Sequence, residues 1–347
     1  MATLPQTANH PDVALLWRGR LAGLTLTLVL ALIAWLLGSA MPLVGAPVFG
    51  IVCGLLATAT GRVPAACKSG ISFSSKQLLQ AAIVLLGFGL SFGQIIRIGA
   101  GSLPVLFGTL IACLLAAWLY GRLLGTQADL TTLIGVGTAI CGASAIGAVA
   151  PVIEAEEKDV AYAISTIFLF NVTAVLLFPP LGRLVGLTQQ SFGLWAGTAV
   201  NDTSSVVAAA FSYGAQAGDY ATVVKLTRAT LIIPIALIIA GWRLWQARRD
   251  TTAASRPDLR RLVPWFILWF LAAALVGSAG FVPKGLGHAA GDAGKFLITV
   301  ALTAVGLSAN FRQMARTGLK PLLLGFLLWI TVAASSLGIQ ALTGRLF

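Results

Sequence analysis

The stretch Asn201-Asp202-Thr203-Ser204-Ser205 places five consecutive polar residues inside an otherwise apolar segment. Lys225 and Arg228 follow in the next apolar segment, and their spacing of three would put both cations on one face of a helix. Hydroxyl and amide side chains can hydrogen-bond an interrupted backbone or coordinate an ion, and two adjacent cations can hold an anion. These residue types therefore indicate an ion or anion site within an apolar layer.

A second cluster of small and hydroxyl residues lies sixty positions earlier. The segment GTAICGASAIGAVAPVIEAEEKDVA starts at Gly137, GTAVNDTSSVVAAAFSYGAQAGDYA starts at Gly197, and nine aligned positions are identical. Glycine permits a bend, and a helix that begins after the bend presents free N–H groups and a positive dipole end that attract an anion. The alternative is close helix packing through small residues, which needs no ligand. The candidate substrate- or ion-binding residues are Thr138, Cys141, Gly142, Ser144, Asn201, Asp202, Thr203, Ser204, Lys225 and Arg228.

The charged members of this set need partners. An acid at membrane depth, such as Asp202, usually faces a cavity and marks an ion or proton path. Lys225 and Arg228 would each cost roughly 2.5–3.5 kcal/mol at the centre of a membrane helix. We expect their partner to be Asp202, an anionic substrate or the C-terminal end of a broken helix. The alternative is that both cations extend to the membrane surface.

The composition identifies the setting of these clusters. The chain has 347 residues, of which 58% are hydrophobic and 10% charged, with a mean hydropathy of +0.91. Soluble domains carry about a quarter charged residues, so the sequence predicts an all-α polytopic membrane protein with about 9–11 membrane segments and two discontinuous or re-entrant helices. The predicted segments are roughly 21–41, 46–60, 75–95, 101–123, 130–153, 158–180, 190–213, 219–245, 262–280, 290–311 and 319–343.

Basic residues predict the orientation. Sixteen of the 23 Lys and Arg residues lie on the side of the N-terminus, five lie on the other side and two lie within a segment. This bias predicts a cytoplasmic N-terminal segment at 1–20, followed by one transmembrane domain at 21–347 with approximate halves 21–180 and 190–345. Basic and aromatic residues do not interleave, so the net charge of +12 does not indicate nucleic-acid binding.

A second internal match suggests inverted repeats. Lys76, Gly87, Arg97 and Gly99 align with residues 219 positions later, namely Lys295, Gly306, Arg316 and Gly318. The copies are an odd number of segments apart, so they have opposite orientations, as in secondary transporters. The copies at Gly137 and Gly197 are also inverted if both are re-entrant, and run the same way if both cross. The sequence leaves these two arrangements open.

Several classes of function are disfavoured by what the chain lacks. The four cysteines have no CxxC or Cys/His spacing, so we expect no metal site, and no cofactor motif is complete. His10 and His288 fall outside the predicted segments, which excludes a Ser/His pair at depth, and Asp202 lacks a second intramembrane aspartate. We therefore expect no enzyme.

Longer motifs carry a resemblance. GTAICGASAIGAVAPVI, followed by an acidic turn and an apolar helix ending in FPPLG, resembles the sulfate exporter family of bacterial inner-membrane proteins, as do FGLWAGTAVNDTSSVVAAAFSYG and VKLTRATLIIP. The likeness is greatest from about residue 75 to 240. The family is similar to bile-acid/sodium symporters and sodium–proton antiporters. The resemblance implies two discontinuous helices in a mobile core domain beside a scaffold domain. It implies site roles for Cys141, Gly142, Ser144, Asn201, Asp202, Thr203, Lys225 and Arg228.

Together these observations predict a secondary transporter, and more specifically an exporter, of a small anion such as sulfate, sulfite or a sulfonate. We expect alternating access in the inner membrane, with a coupling proton or cation and the lipid bilayer as partners. The alternatives are a sodium- or proton-coupled organic-anion symporter, a passive anion channel and an intramembrane enzyme. The sequence does not distinguish a monomer from a homo-oligomer.

Overall fold

The computed structural model describes residues 13–41, 44–61, 63–231, 238, 265–309 and 318–346, and no strand occurs among them. The end of predicted segment 219–245 and Arg316 of the second repeat lie outside the described residues. The described helices are α1 (Val13–Ala40), α2 (Ala46–Ala59), α3 (Lys68–Phe73), α4 (Leu79–Gly87), α5 (Phe92–Leu124), α6 (Ala128–Ala139), α7 (Ala143–Ile153), α8 (Glu157–Val185), α9 (Gln189–Ala199), α10 (Thr203–Tyr213), α11 (Ala215–Thr230), α12 (Trp265–Ser278), α13 (Lys284–Leu307) and α14 (Leu319–Leu342), with a short 3-10 turn before α3 and a π turn between α3 and α4.

The long helices are built for a bilayer. Among the residues that the structure describes, five stretches, within α1, α5, α8, α13 and α14, are long and apolar enough to cross a membrane. Their outward faces carry bare large apolar side chains such as Leu115 and Leu184, which are 63% and 83% exposed. Water would disfavour such faces, whereas acyl chains accept them. The protein is therefore an all-α polytopic membrane protein.

One predicted boundary is wrong. The segments predicted at 75–95 and 101–123 place a connection near Arg97, but the chain turns earlier, at Phe88–Ser91. Ser91 starts α5 with a capping box, in which its hydroxyl accepts from the Gln94 N–H and the Gln94 side chain accepts from the Ser91 N–H. Arg97 is exposed on α5, so its charge is accommodated within the helix instead of ending it.

The first broken segment is a re-entrant hairpin of α6 and α7. We define the first face of the protein as the one holding the α5–α6 connection. α6 and α8 run in parallel, because Gly137 packs against Ile167 while Asp129 and Asp159, each eight residues earlier, lie within electrostatic reach of each other. The start of α8 is therefore at the first face. Since α7 ends only a few residues before α8 begins, α7 returns to the face from which α6 entered.

The second broken segment, α9 and α10, is a hairpin from the opposite side. We define the second face as the one holding the α8–α9 connection. Arg183, near the end of α8, donates through Nη2 to the Ser212 carbonyl at 2.8 Å. The Gln189 side chain at the start of α9 accepts from Ala217 N at 3.2 Å, and the rings of Phe192 and Tyr213 stack 3.8 Å apart. The beginning of α9 and the end of α10 therefore share the second face.

The two hairpin tips meet next to α8. A Cβ placed on Gly142 would lie 3.5 Å from the Asp202 Cβ, 3.8 Å from the Asn201 carbonyl carbon and 3.3 Å from Ile167 Cγ2. The copies at Gly137 and Gly197 thus form an inverted pair whose tips face each other inside the protein. This contact answers the question that the sequence left open. Irregular backbone at this depth is tolerated because it is enclosed by protein.

The second repeat is also inverted in space. α5 and α14 run antiparallel, because Lys320 approaches Gly125 at one end and Arg345 donates to the Gly101 carbonyl towards the other. The start of α5, which holds Arg97 and Gly99, and the start of α14, which follows Gly318, are therefore at opposite faces.

The helices pack as two groups. The hairpin group contains α5–α11 and α14, and the flanking group contains α1–α4, α12 and α13. The groups meet chiefly at α10, where Val207 and Ala208 pack against Ile51 of α2 and against Ile298 and Leu302 of α13. The grouping does not follow the sequence halves 21–180 and 190–345, since α14 packs against α5 and α6.

Contact of α2 with α13 depends on glycine. A Cβ on Gly54 would lie 2.4 Å from the Thr303 carbonyl oxygen and 2.8 Å from Leu307 N, both backbone atoms. We expect Gly54→Ala to destabilise the protein by about 1–3 kcal/mol, because the two helices must move apart. Thermal unfolding in detergent measures this loss. Gly93→Ala is the control, since its Cβ would meet nothing within 4 Å. Equal midpoints for the two variants would refute the close contact of α2 with α13.

Candidate functional site

The first tip is shaped by Gly142. α6 ends at Ala139, and the Gly142 N–H donates to the Gly137 carbonyl at 2.9 Å. Gly142 has φ of 67° and ψ of −129°, a conformation that side-chain-bearing residues rarely adopt. The bend therefore requires glycine at this position.

The second tip is held by side chains. α9 ends at Ala199, and Asn171 of α8 accepts through Oδ1 from the N–H groups of Asn201 at 3.0 Å and Asp202 at 3.4 Å. Asp202 is the N-cap of α10: its carboxylate accepts from the N–H of Ser204 at 2.7 Å and from the N–H of Ser205, and from both serine hydroxyls. These bonds satisfy backbone groups freed by the break.

Lys225 and Arg228 of α11 bind the C-terminal ends of α6 and α9. Lys225 Nζ donates to the carbonyls of Ile140 at 2.9 Å and Val200 at 3.1 Å. Arg228 donates through Nε to the Ala139 carbonyl at 2.9 Å, through Nη2 to the Thr138 carbonyl at 2.6 Å and through Nη1 to the Val200 carbonyl at 3.4 Å.

The two cations are sealed inside the protein. Lys225 is 0% and Arg228 is 1% exposed, so neither reaches the membrane surface. Carbonyl groups at helix C-termini carry partial negative charge, which favours a cation. Of the three partners expected from the sequence, the structure shows the C-terminal ends of the broken helices.

The two half-helices that leave the tips have different N-termini. The offset of sixty aligns Gly142 with Asp202. α10 is capped by the Asp202 carboxylate, whereas α7 has no side-chain cap. Within the described part of the chain, the N–H groups of Ala143 and Ser144 form no hydrogen bond, and both residues are exposed. An uncapped N-terminus beside two buried cations is suited to an anion.

The remaining predicted residues lie at the two tips. Thr203 is partly exposed at the start of α10, and Ser204 is buried at the Asp202 carboxylate. Cys141 is buried at the first tip, and the Thr138 hydroxyl donates to the Ile134 carbonyl at 2.8 Å, so the contribution of Thr138 to the tip is its backbone carbonyl.

Several participants were not among the predicted site residues, including Asn171 and the residues whose carbonyls receive the cations, Ala139, Ile140 and Val200. Asn171 stands out in the sequence as a lone polar residue in FLFNVTAVLLF, but only the fold shows that it supports the second tip. The Val200 carbonyl receives both cations and carries no side-chain signal at all. At the second tip, Asn201 Oδ1 is buried and has no partner among the described residues.

Comparison with known proteins places the chain in a family. A family model described as Conserved hypothetical protein 698 matches residues 22–325. A UPF0324 membrane protein of Streptococcus pneumoniae serotype 4 is 44% identical over 336 residues, covering 93% of this chain and 97% of the relative. One of Fusobacterium nucleatum is 40% identical over 345 residues, covering 94% and 99%. These names state a membrane location and no substrate, so they do not support the sulfate exporter reading. The chain belongs to the UPF0324 membrane protein family.

Proposed function

We propose that this protein is a secondary transporter of a small anion, which binds at the uncapped N-terminus of α7. The observation that carries the proposal is the pair of free N–H groups at Ala143 and Ser144. They directly follow the first tip, whose preceding carbonyls are bound by Lys225 and Arg228. The Ser144 and Thr203 hydroxyls are available as further donors. Lys225 and Arg228 contribute positive potential from behind the tip without touching the anion.

The different packing of the two hairpins supports alternating access. On α10, Val207 and Ala208 pack against the flanking group. The offset of sixty aligns them with Gly147 and Ala148 of α7. Gly147 is exposed, and a Cβ there would meet nothing within 4 Å. The hairpin of α9 and α10 thus packs against the flanking group, whereas the matching surface of α7 in the other hairpin is exposed. Exchange of these environments would open the site to the opposite face.

The substrate class, direction and orientation extend the proposal. The resemblance of the hairpin motifs favours sulfate, sulfite or a sulfonate as the anion and export as the direction. The excess of basic residues favours an inner-membrane protein with a cytoplasmic N-terminus, so the first face, and with it the open α7, would be cytoplasmic.

Flux measurements in proteoliposomes test the proposal. We expect saturable uptake of radiolabelled sulfate or sulfite that accelerates when unlabelled anion is present on the opposite side. Liposomes without protein are the control. Flux that rises linearly with concentration and lacks this acceleration would indicate a channel. Absence of flux across a panel of inorganic anions, carboxylates and sulfonates would overturn the proposal.

A further inference from the structure

The carbonyl oxygens at the two tips are already occupied by cations. Carbonyls at the ends of interrupted membrane helices are suitable ligands for a small metal cation such as sodium. Here four of them converge, and each accepts a hydrogen bond from a protein cation. The four carbonyls belong to Thr138, Ala139, Ile140 and Val200.

The carboxylate and amide oxygens at the second tip do not form an alternative cation site. Both carboxylate oxygens of Asp202 are engaged by the first turn of α10, and Asn171 Oδ1 accepts from two N–H groups. Asn201 Oδ1 has no partner among the described residues, but this single oxygen falls short of the about six oxygens that a hard cation takes. A metal ion at this place would also be repelled by the charges of Lys225 and Arg228.

We propose that Lys225 and Arg228 are fixed counter-charges that stand where a dissociable metal cation would otherwise bind, so that the protein holds its anion without sodium. The anion part of this inference rests on the proposed function. The cation part rests only on the geometry of the tips. It follows that removing one of these side chains leaves carbonyl oxygens that a cation of the same size can bind. For Arg228→Ala, that cation is guanidinium.

Thermal unfolding in detergent tests the cation part. For the unaltered protein we expect the same midpoint in sodium chloride and in choline chloride. For Arg228→Ala we expect a lowered midpoint that guanidinium chloride at low millimolar concentration raises towards the unaltered value and choline chloride does not. Arg97→Ala, which removes an exposed arginine, is the matched control and should show neither effect.

Two results would overturn the inference: a midpoint of the unaltered protein that sodium raises above its value in choline, or anion flux that requires sodium. If Arg228→Ala does not fold, the conservative variant Arg228→Lys takes its place. The midpoints of the unaltered protein in sodium chloride and in choline chloride still decide whether sodium binds. A third result would separate the two proposals: no anion gives flux, but guanidinium raises the midpoint of Arg228→Ala and sodium does not change the midpoint of the unaltered protein. That result would refute the proposed transport function and support the fixed counter-charges.

Discussion

Arg228→Met is expected to destabilise the folded protein by at least about 3 kcal/mol. Methionine keeps an unbranched apolar stem but lacks the guanidinium group and donates no hydrogen bond. The carbonyls of Thr138, Ala139 and Val200 would each lose a charged donor inside the protein, and an unsatisfied buried acceptor costs roughly 1–3 kcal/mol. Lys225 can still satisfy the Val200 carbonyl, which keeps the expected loss near the lower end of the summed range.

Thermal and chemical unfolding in detergent measure this effect. Arg97→Met makes the same substitution on the exposed surface of α5 and should change stability by less than about 0.5 kcal/mol. Arg228→Lys keeps the charge and should fall between the two. A stability of Arg228→Met equal to that of Arg97→Met would show that the α6 and α9 termini do not depend on this side chain.

Ser144→Asp is expected to reduce anion affinity roughly 100-fold, because a fixed carboxylate about 4 Å from a bound anion repels it by several kcal/mol at intermediate dielectric. The new side chain lies in the first turn of α7, where it also competes for the free N–H groups, as Asp202 does on α10. The same position favours acidic residues in a helix, so we expect stability to be unchanged or slightly increased.

Measuring both anion affinity and stability of Ser144→Asp distinguishes a direct effect on the anion from a loss of folding. Anion affinity is measured by the concentration at which a library anion raises the unfolding midpoint. Ser144→Asn is the control, since it adds a similar volume without charge and should retain most of the affinity. Equal affinities of Ser144→Asp and the unaltered protein would move the anion site away from α7.

The sequence predicted the positions of both breaks, because the clusters around Gly142 and Asp202 are too polar and too rich in small residues for ordinary spans. It could not decide between crossing and re-entrant segments. That choice depends on contacts between distant positions, such as Arg183 with Ser212 and Gln189 with Ala217, which leave no local pattern.

The partners of the two buried cations were predictable only as a set of alternatives. The spacing of Lys225 and Arg228 showed that they share a helix face and need compensation. Their actual acceptors are backbone carbonyls, which every residue possesses, so no residue type marks them. Helix ends become cation sites only when the fold brings them opposite a lysine or arginine.

The central claim is that the uncapped N-terminus of α7 is accessible to water and binds an anion. It is tested most directly by the thiol reactivity of Ser144→Cys after the four native cysteines are replaced. We predict rapid modification by a negatively charged methanethiosulfonate, slower modification by a positively charged one, and protection by a transported anion. Leu115→Cys, on the exposed apolar face of α5, should stay unreactive because thiolates do not form in lipid. Equal inertness of Ser144→Cys and Leu115→Cys would contradict the account.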